Sequence, residues 1–159
     1  MLQAETKTSP TPAERLGNRL LVIDDDPLFG EVIEKAAKGS GFDVVVTADS
    51  TGFAKIVRSF RPTVIILDLH MPGTDGIQVL RTLAADRNRA KLVVSSGADG
   101  RILEAAMRLG HDRGLNMCGT LPKPMRIESL REMLASFRQV SKELFAIDLA
   151  VEGCGGRAA

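Results

Sequence analysis

Asp24, Asp25, Asp68, Ser96 and Lys123 are the side chains whose types and positions could together do chemistry. Asp24 and Asp25 follow the aliphatic run Leu20–Leu21–Val22–Ile23, and Asp68 follows Val64–Ile65–Ile66–Leu67. Ser96 follows Leu92–Val93–Val94–Ser95, and Lys123 lies in the turn Leu121–Pro122–Lys123–Pro124. Such runs fit strands buried on both faces, which puts each polar group near the C-terminal end of a strand. In open α/β sheets that edge is where ligands and chemistry collect. Taken alone, Asp68 reads equally well as a cap for a following helix. Taken together, several carboxylates at one edge repel each other unless a cation sits among them. Oxygen ligands with retained waters suit Mg²⁺, usually beside phosphate oxygens. A carboxylate not consumed in this way is a nucleophile for phosphoryl transfer, giving an aspartyl phosphate. A lysine would offset the charge on the phosphoryl group, and a serine hydroxyl would donate to one of its oxygens. With only two histidines, no His/Cys set has zinc spacing.

The elements that must position these groups alternate regularly. Strands are expected at Arg19–Ile23, Phe42–Thr47, Thr63–Asp68, Lys91–Ser95 and Leu115–Thr120. The first helix starts at Asp26–Pro27, a cap followed by proline at the first helical position, and runs through Val32, Ile33, Ala36 and Ala37 to Gly39–Gly41, which stops it. Ser50 or Thr51 starts the second, with Phe53, Ile56, Val57 and Phe60 on one face. Asp75–Gly76 starts the third, with Ile77, Leu80 and Leu83 inward, and Leu69–Gly76 before it reads as a loop. The fourth spans Asp99–Asp112 and uses Ile102, Leu103, Ala106, Met107 and Leu109; the fifth begins near Ile127. Five strands alternating with five helices predict a doubly wound α/β fold, a five-stranded parallel sheet with helices on both faces.

Bulk properties narrow the partners. At 159 residues there is room for one domain plus tails, and 44% apolar residues suffice for a core. A net charge of +1 gives no bulk field toward nucleic acid or membrane, and the absence of Trp and Tyr removes a stacking platform. No direct nucleic-acid contact and no membrane contact are therefore expected. Cys118 and Cys154 read as reduced thiols, and with no apolar signal core the expected location is cytoplasmic.

The stretches Leu21–Pro27, Ile66–Gly76, Ser96–Gly97 and Leu121–Pro124, in this order, resemble the response-regulator receiver domain of two-component signalling over about Arg19 to Phe137. The resemblance implies a (βα)5 flavodoxin-like receiver fold with strand order 2-1-3-4-5. It implies Asp68 as phosphoacceptor, with Mg²⁺ held by Asp25, Asp68, the His70 backbone carbonyl and, through water, Asp24. Ser96 is then the switch hydroxyl and Lys123 the phosphoryl contact. The donor would be a sensor histidine kinase or a phosphotransfer protein, and the chain would be no enzyme beyond its own phosphorylation and dephosphorylation. Asp26 and Asp75 read as helix caps.

The sequence departs from the family at Thr120, where receivers usually carry the aromatic ring of the switch. Ser96 and Lys123 are also further apart than in most receivers, and the excess falls in the fourth helix and its exit. A long fourth helix and the Leu–Pro–Lys–Pro turn are similar to receivers placed ahead of cyclic-di-GMP phosphodiesterase domains, so a front piece of a longer protein is an alternative. A haloacid-dehalogenase-like phosphatase is a remoter one: Asp24-x-Asp26 mimics its motif, but Leu28 stands where Thr or Val is wanted.

The expected division is a flexible leader at 1–18, the receiver domain at 19–138, a helical extension at 139–152 and a disordered tail at 153–159. Met133, Phe137, Val140, Leu144, Ile147 and Val151 continue the fifth helix in heptad-type steps. A helix of that length is marginal alone, so the seam is expected to pack on a second copy, with folding back onto the domain as the alternative. On the dimer reading, the double substitution Leu144→Glu, Ile147→Glu makes the protein monomeric in sedimentation without affecting Asp68; a wild type already monomeric at high concentration would favour the fold-back.

Overall fold

The structure is a computed structural model that describes residues 17–97 and 100–138. Its main sheet is built from β1 (Arg19–Ile23), β2 (Asp43–Thr47), β3 (Val64–Asp68), β6 (Lys91–Ser96) and β7 (Asn116–Pro122). All pairs are parallel and the order is β2-β1-β3-β6-β7, which is the expected 2-1-3-4-5 once the short strands β4 (His70–Met71) and β5 (Thr74–Asp75) are set aside. The helices are α1 (Pro27–Gly39), α2 (Phe53–Phe60), α3 (Gly76–Ala85), α4 (Gly100–Asp112) and α5 (residues 127–138).

The aliphatic runs form strands because both faces are covered. Leu21 and Ile23, Ile65 and Leu67, and Leu92 and Val94 pack in one layer with residues of α2, α3 and α4. Leu20 and Val22, Val64 and Ile66, and Val93 pack in the other with residues of α1 and α5. Alternate residues thus feed opposite cores, and burying each such side chain stabilises by about 1.5–3 kcal/mol. The resulting parity matters at the strand ends, where Asp24, Asp68 and Ser95 each lie two residues beyond a member of the α1/α5 layer.

The caps follow the expected chemistry. Asp26 accepts from the N–H groups of Leu28 and Phe29 at 3.0 and 3.4 Å, with Pro27 at the first position of α1. Asp75 accepts from the Ile77 N–H at 2.9 Å and starts α3. α2 begins later than expected, at Phe53, because Asp49 captures the N–H and hydroxyl of Thr51 at 2.8 and 2.6 Å and holds Ser50–Thr51 in a turn. The same bonds hold the Asp49 carboxyl below its usual range.

The apolar residues along the helices do not all face inward. Val32 and Ile102 are exposed, whereas Val79 is buried on α3. The loop after Asp68 is also more ordered than expected: His70–Met71 (β4) pairs antiparallel with Thr74–Asp75 (β5) across Pro72–Gly73. Gly73 has φ +73°, and Pro followed by a left-handed Gly is the pairing a type II turn requires. β7 starts and ends later than expected and carries a bulge, since Leu92 faces Met117 while Val93 faces Gly119, leaving Cys118 as the extra residue.

On α5 the inward residues are Leu130, Leu134 and Phe137, with Met133 partly buried against them. The first two positions of the expected heptad seam therefore belong to the domain's own core, as a short helix packing on α1 demands. The rest of the seam, from Val140 on, lies outside the described residues. So do the extension 139–152, the tail 153–159 and the leader apart from residues 17–18.

Gly76 fixes how closely the Asp68 loop meets α3: a Cβ there would lie 2.7 Å from Leu69 Cα and 3.1 Å from Leu69 O, with no flexible side chain to yield. At Gly39 the same atom would meet nothing within 4 Å among the described residues. Gly76→Ala is expected to cost about 1–3 kcal/mol by overpacking against backbone. Gly39→Ala, with better helix propensity, is expected to be neutral or to gain up to about 1 kcal/mol. Urea unfolding of both variants checks the contrast.

Candidate functional site

Three strand ends and one turn converge at the C-terminal edge of the sheet. Asp24 follows β1 and Asp68 ends β3, and both are nearly inaccessible, at 2% and 3% exposure. Asp25 is exposed beside them, and each of the three carboxylates offers an oxygen within 4.8 Å of the others. Lys123, just past β7, reaches back with Nζ 2.7 Å from Asp24 Oδ2 and 3.1 Å from Asp68 Oδ2. The remaining oxygens are held by backbone: the Asp26 N–H donates to Asp24 Oδ1 at 2.9 Å, and the His70 N–H to Asp68 Oδ1 at 2.9 Å.

The electrostatics are those of a crowded acidic site with one internal cation. Burial pushes the Asp24 carboxyl up, and the bond from Lys123 only partly offsets it; the Asp68 charge adds to the rise. Burial pulls the Lys123 ammonium down, but its bonds to Asp24 and Asp68 outweigh that and leave it raised and charged. The Phe29 ring lies 4.3 Å from Nζ, adding a cation–π contact worth about 0.5–2 kcal/mol. Asp24 Oδ2 makes the 2.7 Å ion pair but no aligned hydrogen bond. A buried oxygen so placed, in an all-carboxylate set open to water on the Asp25 side, fits a hard divalent cation such as Mg²⁺.

The other expected residues lie around this centre. Ser96 is buried at the end of β6, and its carbonyl accepts from the Lys123 N–H at 3.4 Å. Lys123 also carries a cis peptide bond to Pro124. Thr120 is exposed on β7, opposite Val94. The His70 ring is exposed and its residue belongs to β4. Asp26 serves as the α1 cap, which removes it from the acid role that the phosphatase alternative would need. Sequence reasoning missed Phe29, whose contact with Lys123 joins distant parts of the chain and leaves no local signal, and it missed Ser95, which is fully buried.

A separate cleft of about 360 Å³ opens at the opposite edge of the sheet, lined by Arg19, Arg61, Arg89 and Lys91 among others. Arg19 Nε donates to the Arg61 carbonyl at 2.7 Å, and Arg61 caps α2, so cations here meet the negative end of a helix. That accounts for them without a ligand.

A model of the response regulator receiver domain matches residues 20–135. The chain belongs to the response regulator receiver family. It is 36% identical over 86 residues to the DNA-binding response regulator MtrA of Mycolicibacterium smegmatis, covering 54% of this chain and 38% of that protein. It is 30% identical over 134 residues to the response regulator MprA of Mycobacterium bovis, covering 84% of this chain and 56% of that one. A response regulator from Colwellia psychrerythraea matches with a TM-score of 0.68 and 33% identity, over 79% of this chain and 98% of that one. The receiver thus spans about half the length, or less, of these curated relatives. The expectation of no nucleic-acid contact draws no support from them, since MtrA is named as DNA-binding. Among the described residues no helix is long and apolar enough to cross a membrane.

Because burial raises the Asp24 carboxyl above 3.8, the folded receiver holds its proton more tightly than the unfolded chain does. This contribution to stability is fully present below that value and is lost as pH rises through the raised pKa. In metal-free buffer, Asp24→Asn is therefore expected to raise the urea midpoint at pH 7, with the gain over wild type shrinking as pH falls toward 3.8. A gain independent of pH would contradict it.

Proposed function

We propose that this receiver accepts a phosphoryl group on Asp68 from the phosphohistidine of a sensor histidine kinase or phosphotransfer protein. The observation that carries the reading is the buried Asp68 carboxylate, paired at 3.1 Å with Lys123 in a cluster of three carboxylates. In the transfer, an Asp68 oxygen forms the new O–P bond, the P–N bond to the donor histidine breaks, and its electron pair stays with the departing imidazole. Lys123 Nζ then balances the charge on the transferred group, and the Ser96 hydroxyl donates to one of its oxygens. Phe29 keeps Lys123 in place from the α1 side by its cation–π contact. Asp25, Asp68 and the His70 carbonyl would hold Mg²⁺, with Asp24 contributing through water. When bound, the ion would screen the carboxylates from the incoming phosphate and neutralise part of its charge. Any catalysis is confined to the receiver's own phosphorylation and dephosphorylation.

The signal would leave by a route without the usual ring, since Thr120 has no aromatic side chain to swing inward. Movement of Ser96 would instead be read through β6 and α4, where Gly110 lies directly against Met117 of β7. Contact with nucleic acid, as MtrA's name implies for that protein, would be a property of the whole regulator rather than of this acidic edge.

With acetyl phosphate and Mg²⁺, the wild type is expected to gain one phosphoryl mass by intact-mass measurement. Asp68→Asn, which keeps the shape but not the nucleophile, is expected to gain none, and removing the metal with a chelator should abolish labelling of the wild type. A phosphoryl mass on the Asn variant would sink the assignment.

A further inference from the structure

We propose that Ser95 is a positioning residue of the acidic site, keeping a buried hydroxyl ready for the Asp68 oxygen that Lys123 leaves. Ser95 is 0% exposed, and its Oγ has no hydrogen-bond partner among the described residues. An unpartnered buried hydroxyl destabilises a fold, and alanine would fit the same position without that cost. The place of Ser95 suggests what offsets it. Val93 packs in the α1/α5 layer and Val94 in the other, so the Ser95 side chain returns to the α1/α5 side. By the same parity from Val22 and Ile66, Asp24 and Asp68 project to that side too. Ser95 stands directly opposite Asp68 in the β3–β6 register, and opposite Leu121 on β7, two residues before Lys123. With neighbouring strands about 4.8 Å apart, the hydroxyl is the lateral neighbour of the Asp68 carboxylate.

The inference rests on the phosphoacceptor reading of Asp68. In the resting site both Asp68 oxygens have donors, the His70 N–H on Oδ1 and Lys123 Nζ on Oδ2. Nothing is then left for Ser95 to satisfy. Once Asp68 carries a phosphoryl group, negative charge moves outward to the phosphoryl oxygens and Lys123 follows it. Beside the contact it would make to Mg²⁺, the acyl oxygen that Lys123 leaves keeps a second lone pair with no donor. A turn about χ1 brings the Ser95 O–H to it. No covalent bond changes in this step; one hydrogen bond replaces another. Ser95 and Ser96 divide the labour by parity, since consecutive residues of a strand face opposite sides: Ser96 serves the phosphoryl oxygens and Ser95 the acyl oxygen.

The test compares the full chain with Ser95→Ala and Ser95→Thr, the latter keeping the hydroxyl. Three readouts are taken: thermal midpoint without ligand, Mg²⁺ affinity, and affinity for the phosphate mimic beryllofluoride in saturating Mg²⁺. Ser95→Ala is expected to raise the midpoint, leave Mg²⁺ affinity within about twofold, and weaken beryllofluoride binding about tenfold, as loss of one hydrogen bond in the loaded state requires. Ser95→Thr is expected to bind the mimic within about threefold of wild type. An Ala variant that is more stable yet binds the mimic as tightly as wild type would make Ser95 a mere filler and overturn the proposal. A wild type that takes Mg²⁺ but no beryllofluoride would overturn the reading of Asp68 itself, and this inference with it.

Discussion

The constraint on which the rest of this receiver depends is the ion pair of Lys123 with two carboxylates that the sheet has taken out of water. Asp24 follows β1 and Asp68 ends β3, and the four residues before each are aliphatic and buried, so the parity that buries those residues also buries the acids. Removing Lys123 would leave both buried acids uncompensated, a kind of loss that typically costs about 3–5 kcal/mol. Lys123 reaches them only because β7 lies beside β6 and delivers its last residues to the same edge. Sheet order, strand length and the turn after β7 are thus all tied to one ammonium group.

The pair is a compromise rather than an optimum. A single lysine serves both acids, and burial still leaves Asp24 short of full compensation. Stability is therefore held below what the same fold would reach with neutral side chains. This is the pattern expected where a site is arranged to receive something positively charged or to hand over a negative group. The backbone donors at Asp26 and His70 orient the carboxylates and leave their outer faces open.

Much of this was legible in the sequence, for physical reasons that differ by element. The strands were readable because four-residue aliphatic runs admit few other homes, and the strand ends carried the acids with them. Caps were readable at Asp26 and Asp75 because a short polar side chain before a helix has one dominant use. The start of α2 was not, since Ser50 and Thr51 look like caps until Asp49 takes up Thr51 first. The facing of Val32 and Ile102 was not legible, because an apolar residue flanking a helical stripe reads the same whether it faces core or water. The hairpin at Pro72–Gly73 was hidden by its own turn residues, which signal a bend without saying that two short strands flank it. Phe29 and Ser95 escaped because their roles lie in contacts across the sheet, invisible to local pattern.

The bulge at Cys118 has a consequence for how the receiver meets other molecules. β7 is the sheet's outer strand on that side, with one flank unpaired by any strand among the described residues. An even row of free amides and carbonyls there would be a template for adding a strand from a neighbour. The extra residue throws the row out of step midway and increases the local twist, so an incoming strand would lose its register after a residue or two. The edge thereby resists sheet-to-sheet growth.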